Sequence, residues 1–174
     1  MGGGHCQGTE NSGTGLELAM ESVRRKPLKV LAVASGGGHW VQLLRLKEAF
    51  VGSDVVYVTV DERCRSQING DSFYVINDGN SSTPWGIFLM AVKMFFLVVR
   101  TRPDVVISTG AAPGVFAIYW GKLFQAKTIW LDSLANVERM SLSGRLVLPI
   151  SDLCLTQWPH LEKPDGPVYK GAIL

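Results

Sequence analysis

Short runs of β-branched and apolar residues, bounded by Gly or Asp, recur along the chain from Leu28 onward and alternate with longer stretches of helical apolar spacing. The runs cover residues 28–34, 54–60, 73–76, 104–108, 127–131 and 152–156, and most are nearly continuous in apolar side chains, as strands covered on both faces require. Helices are predicted over 39–50, 84–100, 113–124 and 143–149. This alternation demands crossover connections and therefore a mostly parallel sheet: an α/β fold, built as a single Rossmann-like domain. Ligands in such sheets collect beyond the carboxyl ends of the strands, so the turns after these runs are where chemistry is to be sought.

Residues 1–27 break the pattern. They are rich in Gly, Ser, Thr and Glu, hold no apolar stretch of signal-peptide or transmembrane length, and are expected to form a mobile tail with a short helix over 16–25. The domain then spans 28–174, and the 174-residue length bounds the chain to one nucleotide-binding-type unit rather than two. A content of 47% hydrophobic and 18% charged residues suits a buried sheet. A net charge of only +2, with no run of Lys and Arg interleaved with aromatics, argues against a nucleic-acid partner. Cys6, Cys64 and Cys154 are odd in number, far apart and outside any metal-ligand spacing, so no metal site is expected and a reducing cytosol fits best.

One predicted helix is unusual. Residues 85–99 carry Lys93 as their only charge and are followed by Arg100 and Arg102. At about 1.5 Å per residue this segment reaches roughly 22 Å, short of the roughly 30 Å hydrocarbon core, so it is not expected to span. It is either buried on two sides or pressed against lipid with those three cations toward the headgroups.

Two turns carry candidate chemistry. Ser35-Gly36-Gly37-Gly38-His39 follows the first strand and opens a helix. Its backbone N–H groups and the positive helix end favour a diphosphate, with His39 beside it as a candidate proton acceptor. The alternative is a tight turn with a capping or packing histidine. Thr109 and Gly110 belong to a similar turn, Ser108-Thr109-Gly110-Ala111-Ala112-Pro113-Gly114, where the glycines either receive phosphate or permit close helix–sheet packing. A dinucleotide site competes, because Asp61 and Glu62 close the second strand where an acid would meet a ribose, but Val41 stands where G-x-G-x-x-G needs a small residue. No G-x-x-x-x-G-K-[ST] occurs.

The last third adds a polar loop from Asp132 and Ser133 through Glu138 and Arg139 to Arg145, then Ser151-Asp152 followed by Gln157-Trp158-Pro159 and a terminal Val168-Tyr169-x-Gly171-x-x-Leu174. Together with Ser-Gly-Gly-Gly-His, these motifs occur in the order found in one family. Residues 29–174 resemble the acceptor-side, membrane-associated subunit of the transferase that adds the second N-acetylglucosamine to dolichol-diphosphate-linked GlcNAc, and its bacterial relatives in capsule and exopolysaccharide synthesis. The resemblance implies a fold equivalent to the N-terminal half of a GT-B glycosyltransferase. It also implies inverting transfer, a small Rossmann-type catalytic partner subunit that holds the UDP-sugar, and no cofactor bound by this chain. The acceptor would be a lipid-diphosphate-linked sugar, with His39 or Asp132 as catalytic base. Ser35, Gly36, Gly37, Gly38, Thr109, Gly110, Ser133, Glu138 and Arg139 would then be substrate-binding residues.

Asp132 stands where relatives usually carry Glu, and Asn136 where they usually carry Arg. Eukaryotic members have an amino-terminal transmembrane helix, and its absence here implies a bacterial relative at the cytoplasmic face of the inner membrane. The apolar ending from Val168 onward is expected to dock on the partner. Two other classes stay open from residues alone: a non-catalytic membrane adaptor that recruits a transferase, and an NAD-dependent oxidoreductase.

Overall fold

The computed structural model of the chain describes residues 26–68, 70–76 and 83–173. The expected tail, apart from Lys26 and Pro27, lies outside the described residues, together with its short helix. The elements run β1 (Lys29–Val33), α1 (Gly38–Arg45), β2 (Asp54–Thr59), β3 (Ser72–Val75), α2 (Pro84–Thr101), β4 (Val105–Ser108), α3 (Ala111–Leu123), β5 (Lys127–Leu131), α4 (Leu142–Val147), β6 (Leu153–Thr156) and β7 (Val168–Tyr169). All the expected strands form. β7 was not expected, because a two-residue strand between Gly166-Pro167 and Gly171 is too short to show a period. The helix predicted over 39–50 stays α-helical only to Arg45 and tightens into a 3₁₀ turn at Lys47–Phe50.

The strands form one sheet in the order β3-β2-β1-β4-β5-β6-β7, and every neighbouring pair is parallel. β1 and β4 lie side by side with Val30 opposite Val105 and Val33 opposite Ser108. From β1 the chain moves to one side of the sheet and from β4 to the other. The turns after these two strands therefore diverge, and the crevice between them is the place where such sheets hold ligands.

Successive strand residues point to opposite faces, and the two faces are covered differently. Leu31, Val33, Val56, Val58 and Val106 pack under Met90, Met94, Leu97 and Val98 of α2, Ala117 and Ile118 of α3 and Val147 of α4. Val30, Ala32, Val55 and Tyr57 pack under Trp40 and Leu43 of α1, with Phe50 and Cys64 beside them. α2 starts at a Thr83 cap whose hydroxyl accepts from the Gly86 amide at 3.1 Å, with Pro84 in the first turn. Its Met90–Met94–Leu97 stripe is buried, while Trp85, Phe88 and Phe96 on the outer side are more than half exposed. The helix is thus buried on one side only.

α3 needs Gly114 for contact with the sheet, because a Cβ there would sit 1.9 Å from the Ser108 hydroxyl. At the opposite end of the sheet, Asp152 ties the start of β6 to that of β5: its carboxylate accepts from the Thr128 amide and hydroxyl, both at 2.9 Å, and from Lys122 Nζ at 2.8 Å.

Gly114→Ala is expected to overpack this contact and destabilise the domain by about 1–3 kcal/mol, which a thermal melt reads as a fall of roughly 2–4 °C per kcal/mol. The Lys122 ammonium, and after it the Thr128 amide, holds the Asp152 carboxyl well below the usual carboxylate range. Its folded pKa is depressed, so its contribution is complete above the unfolded value of about 3.9 and is lost as pH falls below it. Asp152→Asn should therefore flatten the dependence of melting temperature on pH below about 4.

Candidate functional site

The two glycine-containing turns meet at the β1/β4 crevice and are latched to one another. His39, in the first turn of α1, has its Nδ1 2.9 Å from the Thr109 carbonyl oxygen, and the Thr109 hydroxyl donates to the His39 carbonyl at 2.7 Å. A carbonyl only accepts, so Nδ1 carries the hydrogen, and a neutral His39 is left with a bare, proton-accepting Nε2. Gly110 makes room for the ring. Its φ of 143° is unfavourable for side chains, and a Cβ there would lie 2.4 Å from the imidazole. Gly114 serves helix packing instead, so both glycines of the second turn are explained by close packing.

The first turn is open. Gly37 has φ 66° and caps α1 without a side chain, and a Cβ at Gly37 or Gly38 would meet nothing within 4 Å. The N–H groups of the first helical turn have no intrahelical partner and point out of this exposed end. Ser35 and Gly36 flank it half-buried. Trp40 and Asp61 are spent elsewhere. The Trp40 indole packs edge-on against Tyr57 and Phe73 and donates to Gln67. Asp61 caps the 3₁₀ turn at Glu62–Gln67 and takes the Arg63 guanidinium in a two-pronged pair, whose hydrogen bonds hold its carboxyl below the usual range.

The turn after β5 is organised around Asp132, which is 2% exposed. Its Oδ2 accepts from the Ser141 amide at 2.8 Å and Asn136 Nδ2 at 3.3 Å, and its Oδ1 from the Ser141 hydroxyl at 2.5 Å and Trp130 Nε1 at 3.3 Å. Ser141 in turn caps α4 through the Gly144 amide. Asn136, at a position where an arginine was the family expectation, braces this carboxylate. Ser133 is also buried and accepts from Gln42 Nε2 and the Ala135 amide.

Of the sequence candidates, the structure thus brings His39, Thr109 and Gly110 into contact and leaves Ser35, Gly36, Gly37 and Gly38 at the open turn. It turns Asp132, Ser133 and Thr109 inward as supports. Glu138 and Arg139 are exposed and line a hollow of about 320 Å³ with Arg145 and Lys163. A larger hollow of about 470 Å³ lies at the other end of the sheet, between the ends of α2 and α3 beside Pro103 and Asp104, away from these turns. Burial pushes the Cys154 thiol up to about 12 and raises that of Cys64 as well, so neither is poised as a nucleophile. Sequence reasoning missed Gln42 and Gln157, buried amides whose signal was a polar residue inside an apolar stripe and inside the Gln-Trp-Pro motif.

The family model described as "Oligosaccharide biosynthesis protein Alg14 like" matches residues 75–173, more than half of the chain. The chain belongs to the Alg14 family. The UDP-N-acetylglucosamine transferase subunit ALG14 of Mus musculus is 31% identical, over 86% of this chain and 85% of the mouse protein. That of Homo sapiens is 29% identical over 90% and 88%, and that of Yarrowia lipolytica 30% over 84% and 68%. These Alg14 relatives are eukaryotic. The expected bacterial inner membrane, with its capsule and exopolysaccharide chemistry, finds no support among them and is set aside.

In fold the chain resembles Acinetobacter baumannii MurG, with a TM-score of 0.67 at 14% identity over 82% of this chain and 45% of that one. A Rickettsia africae glycosyltransferase gives 0.61 at 14% identity over 84% and 43%. The Alg14-family domain spans less than half of either structure, and it is equivalent to the N-terminal half of a GT-B glycosyltransferase.

Gly110→Ala is expected to drive the His39 ring off the Thr109 carbonyl. Imidazole ¹⁵N–¹H correlation spectra should then show His39 losing its preference for the Nδ1–H tautomer; an unchanged tautomer would show that the ring is not held there.

Proposed function

We propose that this Alg14-family chain is the acceptor-side, membrane-contacting subunit of an inverting glycosyltransferase, with the UDP-sugar held by a partner subunit and no cofactor on the chain itself. The observation that carries this reading is the His39 latch: a proton-accepting nitrogen fixed beside an open, N–H-lined turn at the switch point of the sheet. The relatives, UDP-N-acetylglucosamine transferase subunits, supply the reaction class.

In this mechanism the N–H groups of Gly36, Gly37 and Gly38 hold the lipid-linked diphosphate, with the positive end of α1 behind them. The acceptor sugar hydroxyl attacks the anomeric carbon of the donor. The bond from that carbon to the UDP oxygen breaks, UDP departs with the electron pair, and the hydroxyl proton passes to His39 Nε2. Asp132 is the weaker candidate for this proton, because each of its oxygens already accepts two hydrogen bonds. Glu138 and Arg139, exposed on the next turn, face the acceptor.

Membrane contact is supported by the outer side of the helix layer. Trp85, Phe88 and Phe96 of α2, Leu123 of α3 and Leu142 and Leu146 of α4 are all more than half exposed, with Lys93 and Arg100 exposed beside them. The 18 residues of α2 are long and apolar enough to cross a bilayer by length and composition. Its Met90–Met94–Leu97 stripe is part of the core, which favours contact along one side over a crossing.

Purified chain alone is expected to show negligible transfer from UDP-sugar to a lipid-diphosphate sugar and to gain it when mixed with its partner; full activity unaided would defeat the split-enzyme reading. In the reconstituted pair, His39→Ala should lower kcat roughly 10²- to 10⁴-fold. Undiminished transfer by that variant would instead favour an adaptor that only recruits a transferase.

A further inference from the structure

Two buried side-chain amides connect the turns of this site and take no part in the reaction just described. Gln42 and Gln157 are 9% and 2% exposed. Gln42 lies three residues after His39, on the same side of α1. Its Oε1 accepts from the Leu134 amide at 3.2 Å and from Gln157 Nε2 at 2.7 Å, and its Nε2 donates to the Ser133 hydroxyl at 3.1 Å. Gln157 Nε2 also donates to the Asp132 carbonyl at 2.9 Å, and Gln157 Oε1 accepts from the Ile173 amide at 3.1 Å.

The orientation of both amides is fixed by their partners. The Leu134 N–H can only donate, so it must face the Gln42 oxygen. Gln157 must then present its nitrogen to that oxygen, which leaves its own oxygen for the Ile173 N–H. A buried polar chain satisfied in one direction only has one low-energy arrangement. Any shift of α1 against the turn after β5 leaves a buried donor or acceptor unpaired.

We infer that Gln42 and Gln157 are positioning residues: a buried amide relay that sets where α1, and with it the His39 imidazole, stands relative to the Asp132–Arg139 turn. His39 fastens α1 to the turn after β4, and Gln42, one helical turn further on, fastens it to the turns after β5 and β6. A proton acceptor on α1 and an acceptor sugar held against the turn after β5 keep their mutual distance only while this relay is intact. The inference rests on the transferase reading, and its test separates the two.

Gln42→Met keeps the side-chain length and removes both polar ends. Gln157→Asn shortens the arm so that its amide no longer reaches both Gln42 and Asp132. Gln42→Glu keeps an acceptor for the Leu134 and Gln157 donors, and the Ser133 hydroxyl can turn to donate to it. In the reconstituted pair, the first two variants are expected to lose about 10- to 100-fold in kcat with little change in acceptor KM, and Gln42→Glu to regain most of that loss. In the isolated full chain, with unchanged far-UV circular dichroism, the first two should also weaken the Nδ1–H tautomer of His39 in ¹⁵N–¹H spectra. Should Gln42→Met fail to fold, Gln157→Asn decides. Wild-type kcat and tautomer in the folded variants overturn the inference, as does a loss in Gln42→Glu equal to that in Gln42→Met. Absence of transfer by the wild-type pair sinks the transferase reading instead, and the tautomer measurement still decides the relay.

Discussion

The pair of hydrogen bonds exchanged by His39 and Thr109 is the constraint on which the candidate site depends. β1 and β4 are neighbours in space, but the latched residues His39 and Thr109 are 70 positions apart in the chain, with β2, β3 and α2 between them. Each turn is a glycine-containing segment leading from a strand into a helix. Joined through one imidazole and one threonine, they become a single rigid floor, and the ring that joins them is itself the group with a free nitrogen. Gly110 belongs to the same constraint, since the ring occupies the space its side chain would fill.

The strands were legible because both faces of the sheet are covered and the runs are therefore nearly continuous in Val, Ile and Leu. The helix ends were legible where a cap announces them, as at Thr83-Pro84, and less so at Arg45, where the apolar spacing continues through the 3₁₀ turn to Phe50. β7 carried no signal, because a two-residue edge strand is stabilised by β6 rather than by its own pattern.

For the site, residue type and position after a strand were enough to find His39 and both glycine turns. They were not enough to tell a group that faces a ligand from one that supports it. Asp132 read as a candidate base and Thr109 as a substrate-binding residue in one dimension. In three they are buried, with their oxygens committed to Ser141, Asn136, Trp130 and the His39 carbonyl. Gln42 and Gln157 have the reverse history: they sit 115 residues apart, and only the parallel order β1-β4-β5-β6 makes them neighbours.

The one-sided burial of α2 also fixes a direction of approach. A helix that links the parallel strands β3 and β4 must run back along the sheet, so its exposed Trp85–Phe96 side lies lengthwise beside the strands and not across their ends. In the membrane contact proposed above, a bilayer against that side would run parallel to the strands, with the α2 layer and the sheet between it and α1.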